Sequence, residues 1–263
     1  MKPKRHNLEI SYDDTGSNQT ALLLIHGSPL DRALWSAQTH ALADVARVIA
    51  PDLRGFGKSP LPSGAVTMDT YADDLHDLLD TLGISRAVVA GLSMGGYVAF
   101  AFYRKYSARV RALILADTRA MPDSPEARKG RDDGVALARS KGVAAVTEKM
   151  FPKMLTPQTI AEGAGVANAV RTLMSRQPEE GVIAALIALR DRPDSTPTLA
   201  QVAVPTLIVV GAEDTLTPPT DSEQMRDGIR DAQLAVIPNA AHLSNLERPE
   251  AFNQAVRKFW KEL

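Results

Sequence analysis

The chain contains no cysteine. That one absence excludes disulfides, thiolate metal ligands and a cysteine nucleophile. It also has no excess of either charge: 30 Lys+Arg stand against 31 Asp+Glu, a net charge of -1. Nothing electrostatic therefore points to nucleic acid or an anionic membrane as partner. No stretch approaches the roughly 20 apolar residues that a membrane span needs. The basic start, Met1-Lys2-Pro3-Lys4-Arg5-His6-Asn7, has no apolar run behind it and so lacks the core of a secretory signal. A cytoplasmic protein is the expectation. There is no H-E-x-x-H, no metal-spaced histidine pair and no P-loop, so neither a metal nor another cofactor is expected. Internal repeats and low-complexity tracts are absent too.

What remains is an ordinary globular composition, 44% hydrophobic and 23% charged over 263 residues. That length suits one large α/β domain with an insertion. Buried strands are expected at Ala21–Ile25, Arg47–Ala50, Ala87–Ala90, Val110–Ala116 and Thr206–Val210. Shorter ones are expected at Leu8–Tyr12 and Leu234–Ile237, with a turn at Asp13-Asp14-Thr15-Gly16. The spacing of Met68, Tyr71, Leu75, Leu78, Leu79 and Leu82 predicts an amphipathic helix over Thr67–Leu82, with Thr67 as N-cap and Gly83 as stop. A helix continues over Val98–Tyr106, and another closes the chain over Glu250–Leu263. Strands alternating with helices predict a mostly parallel sheet covered on both faces.

One region breaks the alternation. From Arg119 to about Pro205 only helical segments are expected: Ser124–Lys141, Val143–Leu155, Thr159–Arg176 and Pro178–Arg190. The simplest reading is a core made of residues 1–118 and 205–263 under a helical cap, 119–204. A helical bundle without a part in function is the alternative.

The segment Gly91-Leu92-Ser93-Met94-Gly95 carries the most information. It is a G-x-S-x-G sequence between a buried strand and a helix. A serine hydroxyl attacks only when it is exposed, aimed and relieved of its proton. A sharp strand-to-helix turn exposes it, and small residues two positions to either side make room for that turn. Ser93 is thus the candidate nucleophile. Of the five histidines, His6 lies in the N-terminal tail, His40 and His76 sit on expected helices among polar neighbours, and His26 ends a strand, with support of the loop as its expected role. His242 follows the last strand, on the sheet edge where the loops after parallel strands gather, and is the candidate base. Two carboxylates follow strands: Asp214, favoured as the orienting acid, and Asp117, the runner-up. The order Ser93, Asp214, His242 is that of a nucleophile-elbow hydrolase. The Met94 N–H heads the helix after the nucleophile and, with the Ser28 N–H after Ala21–Ile25, is the candidate oxyanion pair. Trp35, Leu92, Met154, Met174 and Leu186 are candidate pocket residues, with core packing as their plainer role; Phe151 is a further candidate from the cap.

Taken together, His26-Gly27-Ser28-Pro29, Asp52-Leu53-Arg54-Gly55-Phe56-Gly57-Lys58-Ser59, Gly91-Leu92-Ser93-Met94-Gly95-Gly96, Gly211-Ala212-Glu213-Asp214 and His242-Leu243-Ser244-Asn245-Leu246-Glu247-Arg248-Pro249 resemble the α/β-hydrolase fold superfamily. The branch most similar is that of the 3-oxoadipate enol-lactonase-like esterases. The resemblance implies an eight-stranded sheet, the Ser93, Asp214 and His242 triad, and no cofactor. It thins over the cap, where specificity is decided. Arg119, at the cap entrance, is a candidate for a substrate carboxylate, with an ion-paired or solvated arginine as the plainer reading. The expected activity is hydrolysis of a small-molecule carboxylic ester through an acyl-enzyme. An enol-lactonase or other lactone or carbon–carbon bond hydrolase is the second reading, and a ligand-binding receptor without turnover the third. An aspartate nucleophile, as dehalogenases and epoxide hydrolases use, is disfavoured because Ser93 occupies the turn.

Overall fold

Ala21–Ile25 (β2) is a run of five apolar residues, all buried. A strand with no polar face must be covered on both sides, and here its residues alternate between two cores. Leu23 and Ile25 enter one core, Leu22 and Leu24 the other. The computed structural model describes residues 8–163 and 165–263; His6 and the rest of the basic N-terminal run lie outside them. Around β2 the chain builds a sheet of seven strands. They are Tyr12–Thr15 (β1), β2, Arg47–Pro51 (β3), Ala87–Leu92 (β4), Val110–Ala116 (β5), Thr206–Gly211 (β6) and Ala232–Ile237 (β7). Their spatial order is β1-β3-β2-β4-β5-β6-β7. Only the β1–β3 pair is antiparallel.

The eighth strand implied by the resemblance is not found among the described residues. The first strand is also displaced. Leu8–Ser11 carries no strand pairing, whereas Asp13–Thr15, expected as a turn, pairs with β3. On this edge strand the side chains face outward, so a polar sequence is tolerated and the turn signal misleads.

Eleven helices flank the sheet among the described residues. Ser36–Ala41 (α1) carries His40, for which a helix is expected. Met68–Thr81 (α2) begins at Thr67, whose side chain accepts from the Thr70 N–H in a capping box. Met94–Tyr106 (α3) follows β4 directly. Between β5 and β6 come Pro125–Met150 (α4), Pro157–Glu162 (α5), Val166–Ser175 (α6), Glu179–Arg190 (α7) and Thr196–Leu199 (α8). After β6 come Pro219–Gly228 (α9), Ser244–Glu247 (α10) and Pro249–Trp260 (α11). The helices expected over Ser124–Lys141 and Val143–Leu155 are the two arms of α4, which break at Gly142, whose φ of 75° and ψ of 175° are not helical. One expected helix is two, because Gly163 and Gly165 have φ of 66° and 72° and cannot continue a right-handed helix. No helix of the described residues is long and apolar enough to cross a membrane.

The strand order decides where a ligand can sit. From β2 the chain steps to one side for β3, then returns across β2 for β4. The connections leave in opposite directions, and a crevice opens beyond the carboxyl ends of β2 and β4. His26-Gly27-Ser28 and Ser93 sit at those two ends.

Candidate active site

Ser93 stands between β4 and α3 with φ 55° and ψ -117°, a backbone conformation that costs a non-glycine residue about 1–3 kcal/mol. The surroundings enforce it. A Cβ on Gly91 would lie 2.1 Å from the Gly95 carbonyl oxygen, and one on Gly95 would lie 2.2 Å from that of Ile25. The Ser93 N–H donates to Ala116 O at 2.9 Å, and its carbonyl accepts from Thr118 Oγ1 at 2.8 Å. The hydroxyl is left at the tip of the turn.

His242 arrives from the loop after β7 and is buried. Its Nε2 lies 2.8 Å from Ser93 Oγ, and its Nδ1 lies 2.8 Å from Asp214 Oδ2. Asp214 follows β6. Its Oδ1 accepts from the Leu216 and Thr217 N–H groups at 2.8 and 3.1 Å, and its Oδ2 from Thr217 Oγ1 at 2.7 Å. Burial works against the charge of Asp214, but the His242 charge and these hydrogen bonds outweigh it and hold the carboxyl below its usual range. Burial likewise opposes a charged His242. The adjoining Asp214 carboxylate prevails, and the imidazole titrates above its ordinary 6.5. With Nδ1–H donated to Asp214, the Nε2 lone pair faces the serine hydroxyl. Such a set can take the serine proton as the oxygen attacks a carbonyl.

Asp117 also ends a strand in this region, but no hydrogen bond joins it to His242 among the described residues. Its Oδ1 accepts from the Gly211 N–H at 2.8 Å and its Oδ2 from Ser244 Oγ at 2.6 Å. Full burial, followed by the nearby Asp214 charge, pushes its carboxyl up to about 8. It ties the end of β6 to α10.

The Met94 N–H is the first of α3, so it has no acceptor within its own helix. Met94 and Ser28 both line a cavity of about 600 Å³ that also contains Ser93 and His242. His26 supports this loop: Nδ1–H donates to Gly27 O at 2.8 Å, and Nε2 accepts from the Leu53 N–H at 2.9 Å. Burial lowers its pKa, which keeps the ring neutral for both roles.

Met154 and Leu186, from the helical insertion, line the cavity, as does Arg119. Arg119 is also ion-paired, to Asp123 at 3.0 Å. Four other candidates do not line it. Trp35 is buried against Phe252, with ring centroids 6.0 Å apart, in the core on the far face of the sheet from α2. Met174 and Leu92 are fully buried in the same core, as is Phe151, under the Arg171 guanidinium. An apolar residue on a helix beside a site has two apolar places to go, and periodicity alone does not choose between them.

Glu247 was missed by the sequence reading. Its Oε2 accepts from the Ala241 N–H at 2.7 Å, and its Oε1 from the N–H and hydroxyl of Thr156, both at 2.9 Å. It thereby braces the His242 loop against the insertion, and the Leu243 N–H adds a bond to Met154 O at 3.1 Å. A glutamate five residues after a candidate base gives no signal of this in sequence.

Comparison with known proteins gives the family. The sequence profile of the Alpha/beta hydrolase family matches residues 22–255. A thermophilic esterase from Thermogutta terrifontis, solved with malate bound, is 44% identical, with a TM-score of 0.94 over 97% of this chain and 94% of that one. The enol-lactonase from Burkholderia xenovorans LB400 is 29% identical, with a TM-score of 0.90 over 97% of each chain. By sequence, 3-oxoadipate enol-lactonase 2 of Acinetobacter baylyi is 28% identical over 245 residues, 93% of this chain and 90% of that protein.

Proposed function

The chain belongs to the alpha/beta hydrolase family, and on that premise we propose that it is a serine hydrolase cleaving small carboxylic esters. The observation that carries the reading is the unbroken line from Asp214 Oδ2 through His242 to Ser93 Oγ, each step 2.8 Å, opening on a cavity of small-molecule size. Ser93 attacks the ester carbonyl as His242 takes its proton. Asp214 holds the imidazole tautomer and stabilises the imidazolium. The Ser28 and Met94 N–H groups bind the oxyanion. His242 then protonates the departing alcohol, and water, deprotonated by the same imidazole, releases the acid and restores Ser93.

Likeness to two enol-lactonases supports a second reading, in which the acid and the alcohol belong to one ring. A panel of p-nitrophenyl esters and lactones separates the two. Measurable turnover of neither leaves a binding protein and sinks the hydrolase reading.

The raised pKa of His242 has a kinetic consequence. The base works only when neutral, so kcat/KM falls as pH drops through a value above the ordinary 6.5 of histidine. A rate independent of pH between about 5 and 8 in a folded protein removes His242 from the role of base.

Residues 119–204 act in this reading as a cap that sets which acyl or alcohol group fits. The cavity-lining positions Leu186 and Met154 support it. Leu186→Phe and Met154→Phe are expected to lower kcat/KM for octanoate esters several-fold relative to acetate esters. Met174→Phe is expected to lower Tm instead, because its site is already packed. If neither cavity substitution moves the chain-length ratio, the insertion is not the specificity element.

A further inference from the structure

The turn that carries Ser28 is held at both ends. The Leu30 N–H donates to Gly27 O at 3.2 Å and closes it. The turn runs hard against the nucleophile: a Cβ on Gly27 would lie 3.2 Å from Ser93 Cβ and 3.1 Å from Leu92 O. A small displacement of the turn therefore moves the Ser28 N–H relative to the Ser93 hydroxyl. On the N-terminal side His26 fixes the turn from within the core, through Gly27 O and the Leu53 N–H. On the C-terminal side the hold is Asp31, and its partners lie outside the core.

Asp31 is buried. Its Oδ1 accepts from the Ala33 N–H at 2.9 Å and caps the short helical turn Arg32–Trp35. Its Oδ2 meets only the helical insertion among the described residues: Arg176 Nε at 3.1 Å, Arg176 Nη2 at 2.7 Å and Gln177 Nε2 at 3.0 Å. Burial works against the Asp31 charge, but the Gln177 amide, the Ala33 N–H and Arg176 outweigh it and hold the carboxyl below its usual range.

Gln177 is the joint. It lies between α6 and α7 in the chain and is buried. Its Nε2 donates to Asp31 and, at 2.7 Å, to Leu173 O, while its Oε1 accepts from the Gly57 N–H at 3.0 Å. The Lys58 N–H, one residue on, donates to Asp52 Oδ2 at 2.8 Å, and Asp52 Oδ1 accepts from the Arg32 N–H at 2.9 Å. These bonds close a ring through Asp31–Arg32, Asp52, Gly57–Lys58 and Gln177. α7 rests on the same loop. A Cβ on Gly181 would overlap the Gly55 carbonyl oxygen, so the two backbones touch with no side chain between them. Apolar packing tolerates small slides, whereas a buried ring of hydrogen bonds admits one arrangement.

We propose that Gln177 is a positioning residue, which acts through Asp31 to set where the Ser28 N–H stands relative to Ser93, so that the insertion takes part in the chemical step. The proposal rests on the serine-hydrolase reading above, in which the Ser28 N–H receives the oxyanion. A donor misplaced by about 1 Å loses most of its effect on the transition state and changes substrate binding little. Loss of the ring is therefore read in kcat and not in KM.

Gln177→Met keeps the length of the side chain and removes its hydrogen bonds. It is expected to lower kcat for a p-nitrophenyl ester about ten- to a hundredfold, with KM within about threefold of the parent. The affinity of n-butylboronic acid, which mimics the tetrahedral intermediate by bonding to Ser93, falls together with kcat/KM. Asp31→Asn lowers kcat as well, because its amide meets the donors of Gln177 and Arg176. Adding Gln177→Glu to Asp31→Asn supplies an acceptor for that amide and a carboxylate for Arg176, and recovers several-fold of the loss; two merely structural changes would add. Val170→Ala, at a buried position of α6, lowers Tm and leaves kcat unchanged when all variants are assayed well below unfolding. A KM effect without a kcat effect, an unchanged boronate affinity, no recovery in the double variant, or an equal loss of kcat in Val170→Ala each overturns the proposal, while turnover by the parent still upholds the hydrolase reading. If the parent turns over neither esters nor lactones, that reading fails and hydrogen exchange decides the positioning role alone. Exchange of the Leu30 and Ala33 amides about tenfold faster or more in folded Gln177→Met supports it, and unchanged exchange sinks it.

Discussion

Ser93→Ala is expected to lower kcat by on the order of 10⁴–10⁶ and to leave the fold in place. The loss is large because the hydroxyl is the atom that bonds to the substrate. Without it, His242 and the oxyanion donors can only assist a water molecule that nothing positions. The fold survives because the Ser93 side chain makes one hydrogen bond, to His242 Nε2. Its backbone strain is held by Gly91, Gly95, Ala116 and Thr118 and does not depend on the hydroxyl. One lost bond of about 1 kcal/mol moves Tm by only about 2–4 °C in a domain of this size. Steady-state kinetics with a thermal unfolding curve on the same preparation checks both halves. A folded Ser93→Ala protein within tenfold of the parent would mean that another group attacks.

That turn was legible because its requirement is local. A strand, two glycines and a helix start within ten residues define it, and the close approaches at Gly91 and Gly95 are the physical reason for the spacing. The sheet was legible for a similar reason. Strands buried on both faces leave near-continuous apolar runs, and Ala21–Ile25 and Val110–Ala116 have the expected bounds. His242 and Asp214 were reached by a rule about where loops after parallel strands gather. What stayed hidden depends on partners distant in sequence. Trp35 and Met174 are apolar beside a site, yet they fill a core. Glu247 is a polar residue in a polar stretch until Thr156, 91 residues away, donates to it. Asp74 reads as one more acidic residue on α2, but it is buried against the Arg54 guanidinium. None of these contacts leaves a period or a motif.

The two strand-end carboxylates separate most sharply under an isosteric change. Asp214→Asn is expected to lower kcat by roughly 10⁴, the loss seen when an amide replaces the acid of a serine-protease triad, and Asp117→Asn by far less. Asp214 must accept at both oxygens. Oδ1 faces two backbone N–H groups, and Oδ2 faces His242 Nδ1 and the Thr217 hydroxyl. An asparagine can turn its amide either way. With the NH₂ toward His242, the imidazole must accept at Nδ1, which puts its proton on Nε2 and blocks transfer from Ser93. With the NH₂ toward Leu216 and Thr217, donors meet donors and the loop loses its anchor. Asp117 meets no such conflict. Its Oδ1 faces the Gly211 N–H and its Oδ2 a hydroxyl, which can turn to accept from an amide as readily as it donates to a carboxyl. Because burial pushes Asp117 up to about 8, its carboxyl is mostly neutral at pH 7, and a neutral amide of the same shape replaces it with little change in charge. The measurement is kcat for both variants on one ester at pH 7, where Asp117 is still mostly neutral, each compared with the parent at the same pH and with circular dichroism to confirm that each is folded. A greater loss in Asp117→Asn than in Asp214→Asn would place the working acid after β5 instead of β6.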